Sequence, residues 1–329
     1  TDTAKTNAAD PMRPLQYSLD VMEVEKAWST TMGDKRVVVA VIDSGVDAKH
    51  VDLKANLSPD AYDAYYDKKG LDAAMPSTLS RLGGQLASLG HGTHVAGIIG
   101  AELGNKQGIA GVAPHCTLLP VKIFPNPSLK PDPRVGGEDP EAVIASVVAR
   151  GIVYATDHGA QVINMSLGFS HESQALAAAV DYAVQKGVSV LVAAGNERME
   201  GSPVNALANL PGVIGVGATD EEDRVTFFSN AGRYVSVSAP GWRILSTMPS
   251  FFNGLVGKPY QYMDGTSMAC PNAAGVAALV RSANPRLSPP QVKDVLEQSA
   301  EDRGPAGWDD SYGFGRVNAA RAVELALRQ

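Results

Sequence analysis

Three short stretches of the chain hold residues that could do covalent chemistry. Ser267 stands in Gly265-Thr266-Ser267-Met268-Ala269-Cys270-Pro271, ahead of a small-residue run that ends at Val280. That run is apolar on nearly every side and reads as a buried helix. Pro271 falls in its first turn, where a missing N–H costs little. Ser267 thus lies at a helix N-terminus, where unpaired N–H groups and the dipole favour an oxyanion; the plainer role for it is a helix cap. His91 and His94 flank Gly92-Thr93 at a glycine-rich helix start. They offer a base for a hydroxyl nucleophile, and no H-E-x-x-H metal pattern accompanies them. Asp43 ends the β-branched run from Val37 to Ile42. A carboxylate at the C-terminal end of a parallel strand sits where open α/β sheets hold their ligands. A serine hydroxyl is a poor nucleophile at neutral pH and needs a base. An imidazole takes that proton and returns it to a leaving group, and a buried carboxylate fixes the imidazole tautomer. Asp43, His91 and Ser267, in that chain order, form a complete set in one of the known triad orders.

The elements that must position these residues alternate between strand and helix. Arg36 to Ile42, Thr117 to Phe124, Gln161 to Ser166 and Val188 to Ala194 read as buried strands, and Val213 to Ala218 and Tyr234 to Ala239 as further ones. Asp139-Pro140-Glu141 opens a helix with its stripe at Ile144, Val148, Ile152 and Ala155, stopped by His158-Gly159. Leu176 to Val184 is a second helix, Ser288-Pro289-Pro290-Gln291 starts another as a capping box, and a last one runs from Asn318 to Leu327. Alternation from Val37 to Val192 predicts a parallel sheet with helices on both faces. Thr1 to Pro14 reads as a polar N-terminal tail, and Ser58 to Leu89 as a surface excursion. The rest, residues 15–329, reads as one domain.

The 329 residues are 44% hydrophobic and 19% charged, a globular balance, and the formal charge of −7 argues against nucleic acid as the main partner. No apolar run is long enough to span a bilayer. Two cysteines, Cys116 and Cys270, are too few for a disulfide scaffold and lack a metal-type spacing, and the sequence leaves a single bridge between them open. No G-x-G-x-x-G joins a strand to a helix: Gly215-Val216-Gly217-Ala218-Thr219-Asp220 lacks the third glycine, and there is no phosphate-binding G-x-x-x-x-G-K-[ST] loop. Leu103 to Gly111 is a tight polar loop whose carbonyls and Asn105 amide suit a hard cation.

Val41-Ile42-Asp43-Ser44-Gly45-Val46-Asp47, His91-Gly92-Thr93-His94-Val95-Ala96-Gly97 and Gly265-Thr266-Ser267-Met268-Ala269 together resemble the three motifs of subtilisin-like serine proteases, over roughly residues 15 to 325. The resemblance implies the subtilisin-like three-layer α/β fold, with a mostly parallel central sheet, and an endopeptidase that works through an acyl-enzyme. Asp43 would orient, His91 act as base and Ser267 attack, which leaves His94 a structural residue. Asn196, in Gly195-Asn196, would supply the oxyanion-hole amide beside the Ser267 N–H. An extended protein or peptide substrate would pair with Ser166-Leu167-Gly168, with Ala193-Ala194-Gly195 as the other wall of its first pocket. Glu197 would stand at that pocket's rim, where a carboxylate accommodates a basic side chain. Structural calcium would be held by Asp52, Asn105 and the carbonyls of Leu103, Gln107 and Ile109. Relatives bring a further ligand from the N-terminus; Arg13 falls near that place, with Asp10 as its substitute.

The resemblance further implies a secreted, monomeric enzyme matured from a zymogen, with a propeptide or proteinaceous inhibitor as partner. The chain departs from the pattern at Phe169, at Asn272-Ala273 and at Asn205-Ala206-Leu207. Its segments Pro125 to Pro140 and Pro249 to Gln261 look long and would border the cleft. A peptide ligase or cyclase would use the same acyl-enzyme with water excluded, and a catalytically silent binding relative is the reading from outside enzymology.

Overall fold

The computed structural model describes residues 10–77, 86–126, 139–252 and 259–329. The strands are β1 (Val38–Asp43), β2 (Tyr62–Asp63), β3 (Lys68–Lys69), β4 (Thr117–Lys122), β5 (Ala160–Met165), β6 (Ser189–Ala193), β7 (Val213–Thr219), β8 (Val235–Pro240), β9 (Ile244–Thr247) and β10 (Tyr260–Met263). The helices are α1 (Tyr17–Val21), α2 (Val24–Trp28), α3 (Leu86–Gly100), α4 (Pro140–Asp157), α5 (Gln174–Gln185), α6 (Thr266–Ala283), α7 (Pro289–Ser299) and α8 (Ala319–Ala326). The first eight strands form one sheet in the order β3-β2-β4-β1-β5-β6-β7-β8. Its ladders are parallel except for the β2–β3 pair. β9 and β10 make a separate antiparallel pair.

Side chains alternate across the sheet, as the pleat dictates. Val39, Val41, Leu118, Val162, Leu191 and Val216 pack on one face with Ala273, Val276, Ala277 and Val280 of α6. Ala40, Ile42, Leu119, Val121, Ile163 and Val190 pack on the other with Val148 and Ile152 of α4 and Leu176 and Val180 of α5. Both faces are therefore covered, which is why these strands read as continuous apolar runs. Asp139 caps α4 by accepting from the Glu141 N–H, and the Gln291 side chain accepts from the Ser288 N–H as the capping box predicts.

Four expectations change. Asp10 and Arg13 are buried rather than part of a loose tail. The Met12 N–H donates to the Gly108 carbonyl, and Arg13 pairs with Asp20 and Glu25 at 2.5 and 2.9 Å. Within Ser58 to Leu89, Tyr62, Asp63 and Tyr65 are buried and β2 joins the sheet. Asp63 pairs there with the buried Lys122 at 3.3 Å, so a charged excursion has become a sheet edge. The helix carrying His91 starts at Leu86, which puts His91 in its second turn rather than at its start. The strand ahead of Leu167 ends at Met165, so Ser166-Leu167-Gly168 continues beyond the ladder. Residues 78–85, 127–138 and 253–258, which include most of Pro125 to Pro140 and parts of Ser58 to Leu89 and Pro249 to Gln261, lie outside the described residues.

Candidate active site

Asp43 is the last residue of β1 and is buried. Both of its carboxylate oxygens lie 2.9 Å from His91 Nδ1, and Oδ1 also accepts from the Ser44 N–H at 2.6 Å. Helix α3 is held against the β1 turn by two further bonds: the Gly92 N–H donates to Ser44 Oγ and the Asp47 N–H to Thr93 Oγ1. Gly92 allows this approach, since a Cβ there would stand 2.5 Å from the Gly45 carbonyl oxygen and 3.1 Å from the Asp43 Cβ. Burial pulls the His91 pKa down, but the Asp43 charge and hydrogen bond outweigh burial and raise it above 6.5. His94, on the same helix, is fully buried, and burial drives its pKa down to about 3. A neutral His94 then donates from Nε2 to the Gln261 carbonyl at 3.0 Å. Ser246 Oγ and Thr247 Oγ1 donate in turn to the His94 and Thr93 carbonyls, so the β9–β10 pair is fastened to α3.

Ser267 is the second residue of α6. Gly265, the N-cap, has φ +146, a conformation that favours glycine. Ser267 Oγ donates to the Ser166 carbonyl at 3.3 Å, and Ser166 Oγ donates back to the Ser267 carbonyl at 2.8 Å. Among the described residues there is no His91–Ser267 hydrogen bond. Catalytic bonds in a free enzyme are often long and tighten when substrate binds.

Asn196 Oδ1 accepts from both the backbone N–H and the hydroxyl of Thr266, at 2.9 and 3.0 Å. That fixes the amide so that Nδ2 is its remaining donor. Thr266 is thus a site residue that the sequence reading did not single out. Glu197 Oε2 accepts from the Asn196 N–H at 2.8 Å and from Asn230 Nδ2 at 2.9 Å. Leu167, Gly168, Ala193, Gly195, Asn196, Glu197, Thr266 and Ser267 share one cavity of about 590 Å³, together with Glu200 and Asn205. Asn205 braces its two walls, donating to the Leu167 and Ala193 carbonyls at 3.2 and 2.8 Å. Ala194 is a correction. It lies buried behind the wall, its carbonyl accepting from Tyr234.

Cys270 and Asn272 pack behind the nucleophile. Asn272 Nδ2 donates to the Pro240 and Met268 carbonyls, and Cys270 lies buried 4.0 Å from the Met165 carbonyl. Both cysteines are free, and burial raises each thiol pKa, that of Cys116 to about 11.

The Asp52 carboxylate accepts from Asn105 Nδ2 at 2.9 Å and from the Ile109 N–H at 3.0 Å. Asp10 accepts from the Gly104 and Lys106 N–H groups at 2.7 and 3.1 Å. The carbonyls of Leu103, Gln107 and Ile109 accept no hydrogen bond among the described residues. The Asp52 carboxylate and three unpaired carbonyls are hard oxygens of the kind calcium takes, while Asn105 Oδ1 accepts from the Gln107 N–H at 2.7 Å and its Nδ2 faces Asp52, so the amide would have to turn to join them. Arg13 is turned away into its ion pairs, so Asp10 is the N-terminal group that reaches this loop. No cluster of three or more His, Cys, Asp or Glu side chains with metal-site geometry occurs among the described residues, so neutral oxygens would dominate any shell here.

An Asp–His pair stands at the carboxyl edge of a parallel sheet, and a serine opens a buried helix that packs against the helix carrying the histidine. Residues 34–315 match the model of the subtilase family. Fervidolysin of Fervidobacterium pennivorans is 38% identical over 318 residues, covering 92% of this chain and 42% of its own length. A thermophilic serine proteinase of Bacillus sp. (strain AK1) is 37% identical over 310 residues, covering 94% of this chain and 67% of its own. A solved protease of Pseudoalteromonas arctica superposes with a TM-score of 0.79 at 31% identity, covering 97% of this chain and 99% of that one. The chain belongs to the subtilase family, a family of serine endopeptidases. It spans less than half the length of fervidolysin.

Proposed function

We propose that this domain hydrolyses peptide bonds in extended protein or peptide substrates through an acyl-enzyme. The observation that carries the reading is the Asp43 carboxylate, both of whose oxygens lie 2.9 Å from His91 Nδ1. This fixes the tautomer that leaves Nε2 free to act as the base. Ser267 Oγ gives up its proton to His91 as it attacks the scissile carbonyl. Asn196 Nδ2 and the Ser267 N–H then donate to the oxyanion, and His91 returns the proton to the leaving amine. Substrate backbone lies along Ser166-Leu167-Gly168, and its first side chain enters the cavity beneath Asn196. Glu197 and Glu200 line that cavity, so it accepts basic residues there.

Calcium, held by Asp52, Asn105 and the carbonyls of Leu103, Gln107 and Ile109, would stabilise the loop and take no part in the reaction. Export, maturation from a zymogen and a monomeric state belong to the same proposal. Among the described residues no helix is long and apolar enough to cross a membrane.

The test is fluorophosphonate labelling and cleavage-site profiling on a peptide library, with Ser267→Ala as control. Labelling at Ser267 and hydrolysed products carry the proposal. An unlabelled folded protein would make it a binding relative, and ligated products without hydrolysis would make it a ligase.

A further inference from the structure

Two carboxylates, Glu197 and Glu200, line the cavity beside Ser267, and no Lys, Arg or His side chain lines it among the described residues. Their surroundings differ. Glu197 Oε2 accepts from the Asn196 N–H and from Asn230 Nδ2, and the Glu197 N–H donates to Asn230 Oδ1 at 2.7 Å. Asn230 is 1% exposed. Its N–H donates to the Gly195 carbonyl at 3.0 Å and its Nδ2 also to the Pro203 carbonyl at 3.1 Å. Gly195, at φ +113, leaves room for this closure: a Cβ there would stand 2.3 Å from Asn230 Nδ2 and 2.7 Å from Glu197 Oε2. The Glu197 carboxylate is thus turned back onto its own loop.

Glu200 makes no such bond. It ends the 3-10 turn Arg198–Glu200, which closes on the Glu197 carbonyl through the Glu200 and Ser202 N–H groups at 2.9 and 3.2 Å. Its carboxylate has neither a hydrogen-bond nor an ion-pair partner among the described residues. The neighbouring cation in sequence, Arg198, points elsewhere, donating to the Ser229 carbonyl and to Ser311 Oγ at 3.2 and 3.0 Å.

Asn196 is therefore gripped from two sides: Thr266 holds its side-chain oxygen and Glu197 its backbone N–H. Hydrogen bonds to a charged acceptor are about twice as strong as neutral ones, so Glu197 fixes the backbone from which the oxyanion donor projects. A carboxylate with two N–H donors on one oxygen has part of its charge already satisfied. An unpaired carboxylate in a cavity without cations keeps its full attraction for an incoming ammonium.

We propose that Glu197 is a positioning residue for Asn196 and that Glu200 is the residue that selects a basic side chain in this cavity. The proposal rests on the protease reading above, and it divides between two residues a role that the family resemblance assigns to Glu197 alone.

The experiment compares Glu197→Ala, Glu197→Gln and Glu200→Gln in the full chain. Both side chains are exposed, so no change empties the core. The substrates are peptide p-nitroanilides that differ only in lysine or norleucine before the scissile bond. Glu200→Gln should lower the lysine-to-norleucine ratio of kcat/KM about fivefold, the upper range for an exposed ion pair. The parent's ratio should shrink in about 1 M salt. Glu197→Ala should lower kcat about tenfold on both substrates and leave the ratio in place. Glu197→Gln, which keeps an acceptor oxygen but no charge, should recover most of that loss. Equal losses in Glu197→Gln and Glu197→Ala overturn the proposal, as does a lysine preference that follows Glu197 rather than Glu200, or a parent with no lysine preference. Fluorophosphonate labelling of Ser267 tests the protease reading separately. Should that reading fail, both roles are read without turnover in Ser267→Ala. One readout is the ratio of dissociation constants of the lysine and norleucine product acids. The other is the Asn196 side-chain ¹⁵N resonance, which should move in Glu197→Ala and move less in either Gln variant.

Discussion

His91 can act as a base only while neutral, and Asp43 holds its pKa above 6.5. The acid limb of the activity profile should therefore lie above that value, with activity rising as pH rises through it. Asp43→Asn removes the charge that raises the pKa. We predict that the limb moves to lower pH while turnover falls roughly 10⁴-fold through the wrong tautomer. A pH–rate profile with an unmoved limb would sink this account. Asn196→Ala should lower kcat roughly 10²- to 10³-fold, the magnitude established for the corresponding donor in subtilisin. Thr266→Val keeps the backbone bond to Asn196 but loses the hydroxyl bond, worth about 1 kcal/mol. A fall in kcat of about fivefold with little change in KM is expected, and an unchanged kcat would show that Thr266 does not orient the amide. Asp43, His91 and Ser267 were readable in the sequence because each sits in a short motif at the end or start of an element. Thr266 and Asn205 stood in stretches the sequence singles out, but their roles were not legible, because their work is done on partners far along the chain.

Elements were legible where local signals and burial agreed. The cap at Asp139 and the stripe through Ile152 marked α4, and β1 and β5 to β8 announced themselves as apolar runs. The hidden pieces were short and held by side chains: β2 depends on its place beside β4, and the β9–β10 pair on Ser246, Thr247 and His94. The start of α3 was misplaced because Gly90 and Gly92 resemble a boundary, whereas Gly92 serves close packing inside the helix. Gly92→Ala should therefore act on the fit between α3 and β1. An added methyl against the Gly45 carbonyl and the Asp43 Cβ should cost about 1–3 kcal/mol of stability and lower kcat by shifting His91. Thermal unfolding and kinetics on one preparation decide it, and a variant of unchanged Tm and kcat would refute the packing argument.

For the whole molecule, the Leu103–Ile109 loop ties the N-terminal segment to the body through Asp10, Met12 and Asp52. If calcium fills the unpaired carbonyls there, saturation at a hundred times Kd adds about 2.7 kcal/mol. Chelation should then lower the melting temperature by about 4 °C for a chain of this size, whereas identical melting curves with and without chelator would exclude the ion. The layered fold also bears on how the molecule can be observed. Cys116 and Cys270 are free and buried in the same core, Cys270 in the first turns of α6 and Cys116 beside Ser282 near its other end, and burial keeps both as thiols. A thiol reagent therefore finds no target until the core opens. In the Ser267→Ala variant, which cannot digest itself, we expect labelling in native buffer to stay slow and to count two groups in denaturant. The rate of colour development then becomes a clock for how often this molecule comes apart, and a fast first equivalent would reveal a local opening instead.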